Sequence, residues 1–141
     1  MKKLILTIPI ILIGLTLAFL PAQAEEIADF KVDININADS SLYVEERILY
    51  DFGDSERHGI YRSIPFSYKA RGGNFNLRFS EFSVRDASGQ ERPFSVSKQD
   101  GNYVLKIGDK DALVSGTEQY VIGYRVRRAL NFWEDAVELY W

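Results

Sequence analysis

The residues best suited to chemistry lie close together in residues 57–65, a stretch that fits neither the helical nor the strand period well. It contains His58, the only histidine of the chain, together with two arginines, a tyrosine and a proline. A histidine titrates near neutrality, and a nearby carboxylate such as that of Glu56 can orient it for proton transfer. If the protein has a catalytic site, this stretch is where acid–base chemistry is expected.

The same residues also have a structural interpretation. No nucleophile stands in a recognisable motif, since Ser63 lacks the sequence of a nucleophile elbow. His58 and Gly59 then form a turn, and Arg62 pairs with a carboxylate to hold the loop, because ion-pair networks perturb residues without catalysis. We predict no catalytic residue and define a candidate cluster, functional or structural, as Glu46, Arg57, His58, Gly59, Tyr61 and Arg62.

Glu46 joins the candidate cluster from the preceding strand-like run, residues 42–52, where it interrupts an otherwise apolar face. A buried carboxylate must be paired, or else it takes up a proton. Arg57 or Arg62 is the predicted partner. The alternative is a β-bulge near Glu45 that turns both glutamates outward.

Metal binding is not predicted. The chain has no cysteine and one histidine, which excludes thiolate ligands and leaves a single imidazole. Asp109 and Asp111, with Asp100, could supply oxygen ligands to Ca²⁺, but the twelve-residue loop with its terminal glutamate is missing. A solvated turn is the preferred interpretation, and no cofactor is predicted.

Apolar and polar residues alternate along most of the chain after residue 24, which is typical of half-buried strands, and no segment there has a helical stripe. An Asp-Gly pair at Asp100 predicts a hairpin, and a change of apolar parity at Ser80 predicts a β-bulge. Six or seven short strands joined by turns predict an all-β fold, an antiparallel β-sandwich that is immunoglobulin-like in style. The runs with this alternation are residues 30–37, 42–52, 75–84, 94–96, 103–107 and 120–126.

Four local predictions accompany this fold. Residues 66–74 are rich in turn formers and predict a link, and residues 131–135 predict a loop. The final apolar run, residues 137–141, predicts a strand that continues beyond Trp141. The first strand is expected to bury one face, formed by Phe30, Val32, Ile34 and Ile36.

Residues 1–24 are predicted to be a signal peptide. Lys2 and Lys3 precede an uncharged apolar run of 17 residues, and Ala22-Gln23-Ala24 supplies the small-x-small pattern for cleavage. The competing interpretation is an uncleaved membrane anchor, for which a 17-residue run is at the lower limit of length.

Cleavage would leave residues 25–141, enough for one domain with its own core. This part has 15 basic and 20 acidic residues, a net charge of −5. Such a charge argues against a nucleic-acid partner and against docking on anionic lipid by bulk electrostatics. Without cysteines, the exported domain must depend on its core alone for stability.

Several short sequences are similar to those of one family. They are His58-Gly59-Ile60-Tyr61-Arg62, a Val-Glu-Glu strand leading to Tyr50-Asp51-Phe52, Ile107-Gly108-Asp109, Tyr120-x-Ile122-x-Tyr124 and Glu138-Leu139-Tyr140-Trp141. With them, residues 25–141 resemble the domain of unknown function 2207 of the YciQ-like predicted membrane proteins. The resemblance implies an exported β domain followed by transmembrane helices, which are missing here, and it implies no particular chemistry.

The sequence therefore predicts that residues 25–141 are the N-terminal, extracytoplasmic fragment of a longer membrane protein. The domain is expected on the periplasmic or extracellular face of the cell membrane, to which the missing C-terminal helices attach it. Its expected function is that of a noncatalytic interaction or structural module that binds another protein or a cell-envelope component. The alternative is a fragment of an envelope hydrolase or transferase that uses His58.

Overall fold

A computed structural model of the chain describes residues 24–70 and 73–139, and the regular secondary structure of these residues is entirely β-strand. The all-β prediction is confirmed. The predicted signal peptide, apart from Ala24, lies outside the described residues, as do Tyr140 and Trp141. The strands are β1 (Glu26–Ile36), β2 (Leu42–Asp51), β3 (Ile60–Pro65), β4 (Ser67–Ala70), β5 (Gly73–Asn76), β6 (Arg78–Arg85), β7 (Phe94–Gln99), β8 (Asn102–Ile107), β9 (Thr117–Arg127), β10 (Leu130–Phe132) and β11 (Val137–Leu139).

The strands form two larger antiparallel sheets and two small hairpins. The first sheet has the order β1-β2-β9-β6 and the second has the order β3-β8-β7, while β4-β5 and β10-β11 are the hairpins. The predicted hairpin between β7 and β8 turns at Asp100 and Gly101, which both have positive φ, as a type I′ turn requires. In the described part of the chain, no helix has the length and apolarity needed to cross a bilayer.

The core lies between the two sheets and contains side chains from both. On the central strand β9, alternate residues from Tyr120 to Val126 have no exposed surface, as their spacing predicts. The second sheet contributes the buried Ile60, Ile64 and Leu105. Burial of one such large side chain stabilises the fold by roughly 1.5–3 kcal/mol, so the contact between the sheets is the main source of stability.

The predicted bulge in β6 is present. The pairing of β6 with β9 shifts between Ser80 and Ser83, and Glu81 has a φ of 57°. Phe79 and Val84 are both buried although they have opposite parity in the sequence. One extra residue on this strand therefore returns the later apolar side chains to the core.

The stretch that the sequence left irregular is in part a core strand. β3 pairs along its whole length with β8, and Ile60 and Ile64 are buried with Arg62 between them on the same face. The alternation is hidden in the sequence because a charged residue occupies the central inward position.

Two further segments contain more strand than the sequence predicts. Residues 66–74, predicted to be a link, contain most of the hairpin β4-β5. Residues 131–135, predicted to be a loop, begin within β10, which pairs with β11. Each of these strands has only three or four residues, too few for periodicity to reveal them.

The prediction of a buried face on β1 is wrong for most of its residues. Phe30, Val32 and Ile36 are 47%, 41% and 60% exposed, and Ile34 alone of the four packs partly against the core. The register with β2 does place them on the core side of the first sheet. β1 is the edge strand of the first sheet, and there these side chains are incompletely covered.

Candidate functional site

The structure divides the candidate cluster into two groups. Glu46 and Arg62 meet between the two sheets. The remaining four residues lie at the surface, where β3 begins, and line a pocket there: Arg57, His58, Gly59 and Tyr61.

Glu46 is buried, with 1% of its surface exposed, and each of its carboxylate oxygens accepts hydrogen bonds. Oε2 accepts from Arg62 Nε at 2.7 Å. Oε1 accepts from Arg62 Nη2 at 2.8 Å and from the Tyr124 hydroxyl at 2.7 Å. A bidentate pair of this kind is both strong and specific in geometry.

The two members of this ion pair belong to different sheets, because Glu46 is on β2 and Arg62 on β3. Hydrogen bonding to Glu46 raises the pKa of the Arg62 guanidinium, and burial together with the Glu46 charge raises that of the Tyr124 hydroxyl. Arg62 Nη1 also donates to the Ser63 carbonyl at 2.7 Å. These hydrogen bonds link the polar groups of Glu46, Arg62 and Tyr124 to one another and leave the Glu46 carboxylate enclosed.

Of the two predicted partners of Glu46, the structure selects Arg62. Arg57 pairs instead with Glu25 at 2.5 Å. The alternative with a bulge near Glu45 is wrong, since β2 pairs with β9 without a register shift through this region.

His58 is attached to the loop that follows β8. Its Nδ1 lies 2.9 Å from the Ala112 carbonyl and 3.2 Å from the Asp109 carbonyl. Because both oxygens are acceptors, Nδ1 must carry the proton and donate it. The adjacent Arg57 exchanges two main-chain hydrogen bonds with Val114, of 3.0 and 2.8 Å. His58 thus helps to hold two loops together.

Two glycines allow the two loops to touch. Gly59 and Gly108 have φ values of 136° and 131°, which residues other than glycine rarely adopt. A Cβ atom on Gly59 would lie 2.0 Å from the Ile107 carbonyl oxygen, and one on Gly108 would lie 1.8 Å from that of His58. Neither position has room for a side chain, because the obstructing atoms belong to the main chain.

The pocket at this contact has a volume of about 270 Å³ and lies between residues 57–61 and 106–110. The buried Ile60 and Ile107, which face each other across β3 and β8, form part of its lining. Its rim carries exposed polar and charged side chains from both segments.

The comparisons with known proteins place this chain in a family. The family described as the N-terminal domain of a predicted membrane protein, DUF2207, matches residues 26–141. The chain belongs to the DUF2207 family. The matched range contains all eleven strands and the whole candidate cluster, so the protein carries the N-terminal domain of a predicted membrane protein. The finer YciQ-like resemblance stays a prediction. No curated protein and no solved structure matches the chain.

In this DUF2207 domain, the carboxylates of Asp109 and Asp111 in the predicted turn contact neighbouring residues of the same turn. Asp109 Oδ1 accepts from the Asp111 main-chain nitrogen at 2.9 Å, and the Asp111 carboxylate pairs with Lys110 at 2.6 Å. Among the described residues, no group of three or more histidine, cysteine, aspartate or glutamate residues is placed to hold a metal ion.

Sequence reasoning missed three contributors to these sites. Tyr124 was assigned to an inward strand face, but its contact with Glu46 depends on the pairing of β2 with β9. Lys106 and Lys110 belong to no recognisable functional motif in the sequence. The register of β8 against β3, which places Lys106 opposite Tyr61, was the signal needed to find the first of these lysines.

Proposed function

We propose that residues 25–141 form a noncatalytic, extracytoplasmic module of a membrane protein that binds another protein or a cell-envelope component. The family supports the membrane association, since its description is that of a predicted membrane protein. The signal-like residues 1–24 support export. In this proposal, transmembrane helices that follow the domain anchor it to the membrane.

The noncatalytic role rests on one observation: the polar groups of the candidate cluster make hydrogen bonds within the protein itself. Glu46 receives three hydrogen bonds in the core, and the His58 Nδ1 donates to main-chain carbonyls. Within the described part of the chain, His58 makes no hydrogen bond to a carboxylate or hydroxyl. Main-chain carbonyls can orient a histidine that acts as a general base, so what His58 lacks among the described residues is a nucleophile hydrogen-bonded to its ring.

The noncatalytic role is tested by a search for turnover that depends on His58. The full chain and its His58→Ala variant are assayed with ester, phosphoester, glycoside and peptide substrates, and both are melted. We expect no turnover that differs between them. A turnover that disappears in His58→Ala at an unchanged Tm would establish the alternative, an envelope hydrolase or transferase.

The predicted location can be tested with a cysteine, because the natural chain has none. Ala87 is exposed in the turn after β6, so Ala87→Cys offers one reactive thiol. We expect a small membrane-impermeant maleimide to label this thiol in intact cells as completely as in lysed cells. Labelling only after lysis contradicts the extracytoplasmic location.

A further inference from the structure

We infer that the pocket between residues 57–61 and 106–110 binds one phosphate group carried on a small apolar body. This inference rests on the proposed function, since it gives a binding module a class of ligand. It uses the four surface residues of the candidate cluster together with two lysines that the sequence did not single out.

The charge of the pocket differs from that of the whole chain. The protein has 17 basic and 20 acidic residues, yet the pocket lining has three cations and a single carboxylate, that of Asp109. Two of the cations are already paired, Arg57 with Glu25 and Lys110 with Asp111. In residues 24–70 and 73–139, Lys106 makes no hydrogen bond or ion pair through its ammonium group. Because Lys106 is exposed, its ammonium charge is available to an anion in the pocket.

The register of the second sheet places an aromatic residue opposite this lysine. Tyr61 lies directly opposite Lys106 across β3 and β8. Their neighbours Ile60 and Ile107 point into the core, so both side chains stand on the outer face of the sheet. Tyr61 is 68% exposed, and its ring offers an apolar surface within reach of a group bound to Lys106.

The walls of the pocket are held in place before any ligand binds. Gly59 and Gly108 bring the main chains of the two walls into contact. The His58 side chain also hydrogen-bonds to Ala112, in the loop that follows residues 106–110. A preformed site avoids the entropic cost of ordering its residues on binding. A volume of about 270 Å³ is near the lower limit for small-molecule sites, which suits one anionic group on a single ring or short chain.

A phosphate on an apolar body occurs both in free small molecules and in lipid headgroups. The overall acidic charge opposes adsorption to an anionic bilayer, so any contact with such a headgroup depends on this local site. Phenyl phosphate represents the free source, and dioctanoyl phosphatidylglycerol below its micellar concentration represents the headgroup.

The experiment is calorimetric titration of the full chain with phenyl phosphate and with inorganic phosphate at low salt. We expect saturable binding of phenyl phosphate that weakens roughly tenfold or more in Lys106→Ser, the loss expected for a charged hydrogen bond. Lys69→Ser is the matched control, because Lys69 is exposed on β4 outside the pocket lining. It should change the affinity less than twofold. Tyr61→Ser should weaken phenyl phosphate more than inorganic phosphate.

The two sources are separated by competition. Displacement of phenyl phosphate by dioctanoyl phosphatidylglycerol at lower concentration supports a headgroup, and binding of phenyl phosphate alone supports a free ligand. Absence of saturable binding, or an equal loss in Lys106→Ser and Lys69→Ser, overturns the anion site and leaves the noncatalytic role standing. Hydrolysis of phenyl phosphate that requires His58 overturns the noncatalytic role while the site itself stands.

Discussion

Glu46 and Arg62 form a bidentate ion pair between the two sheets, with nitrogen–oxygen distances of 2.7 and 2.8 Å. Their exposure is unequal, since 2% of the Glu46 side chain and 29% of the Arg62 side chain reach solvent. The guanidinium thus extends from the core to its border, where it lies 5.5 Å from the centre of the Phe30 ring on β1. The pair fixes which faces of β2 and β3 meet.

Substitution of Glu46 by glutamine should destabilise the domain strongly. The change leaves the Arg62 charge partly buried without a counter-charge, which costs about 3–5 kcal/mol for a fully buried pair. We expect the lower end of this range, because Arg62 has access to water. Urea unfolding measures the loss of free energy.

The surface pair of Glu81 with Arg125 supplies the control for this experiment. The Glu81 side chain is 57% exposed, so Glu81→Gln should cost less than about 1 kcal/mol. If Glu46→Gln melts within a degree or two of the natural protein, the ion pair does not stabilise the fold.

Replacement of Gly59 by alanine should cost more than the same change at Gly89. Both glycines have positive φ, but a Cβ atom on Gly89 would have no neighbour within 4 Å. Gly89→Ala therefore measures backbone strain alone, about 1–2 kcal/mol. Gly59→Ala adds a collision with main-chain atoms, roughly 1–3 kcal/mol more.

Thermal unfolding of the two glycine variants and of His58→Ala ranks the losses of stability that these substitutions cause. We expect Gly59→Ala to lower the Tm more than His58→Ala does, because a histidine can be truncated without moving the main chain. Equal Tm values for Gly59→Ala and Gly89→Ala would show that the two loops separate easily.

The stability of the domain should fall at alkaline pH in a manner that depends on Tyr124. Burial raises the pKa of its hydroxyl above the ordinary value of 10.0, so the folded state keeps a proton that the unfolded state loses. The stabilisation from the protonated Tyr124 hydroxyl is fully present below pH 10. Above pH 10 the free energy of unfolding declines by at most about 1.4 kcal/mol per pH unit.

Tyr124→Phe tests this pH dependence. The variant loses the hydrogen bond to Glu46 and should be about 1–2 kcal/mol less stable at neutral pH. Its unfolding free energy should decline less steeply above pH 10 than that of the natural protein. The burial-raised pKa of Tyr120 leaves a remaining slope in both proteins. Identical slopes would assign the alkaline loss to other groups.

The uncovered face of β1 should make the domain self-associate at high concentration. β1 is an edge strand with unpaired main-chain groups, and exposed apolar side chains stand beside them. The double substitution Val32→Thr and Ile36→Thr should reduce association in sedimentation velocity with little change in Tm. Leu113→Thr removes an equally exposed apolar side chain elsewhere and should have no such effect. A natural protein that stays monomeric contradicts this prediction.

Features that depend on neighbouring residues can be predicted from the sequence of this domain. The alternation in β9 predicts its buried face, the Asp100-Gly101 pair predicts its hairpin, and the parity change at Ser80 predicts its bulge. Each follows from the two-residue period of a strand or from the φ values that a tight turn requires. The same period placed Glu46 on the inward face of β2, but it left open a β-bulge that would turn Glu46 outward, which the pairing of β2 with β9 excludes.

Features that depend on how distant segments meet could not be predicted without the folded arrangement of the sheets. The choice of Arg62 over Arg57 required β3 to face β2, and the exposure of Phe30 accompanies the edge position of β1 in the first sheet. The pocket required Lys106 to lie opposite Tyr61, a register set by the pairing of β3 with β8. Strand period gives the face on which a side chain stands, but strand order and register are cooperative properties of the whole sheet.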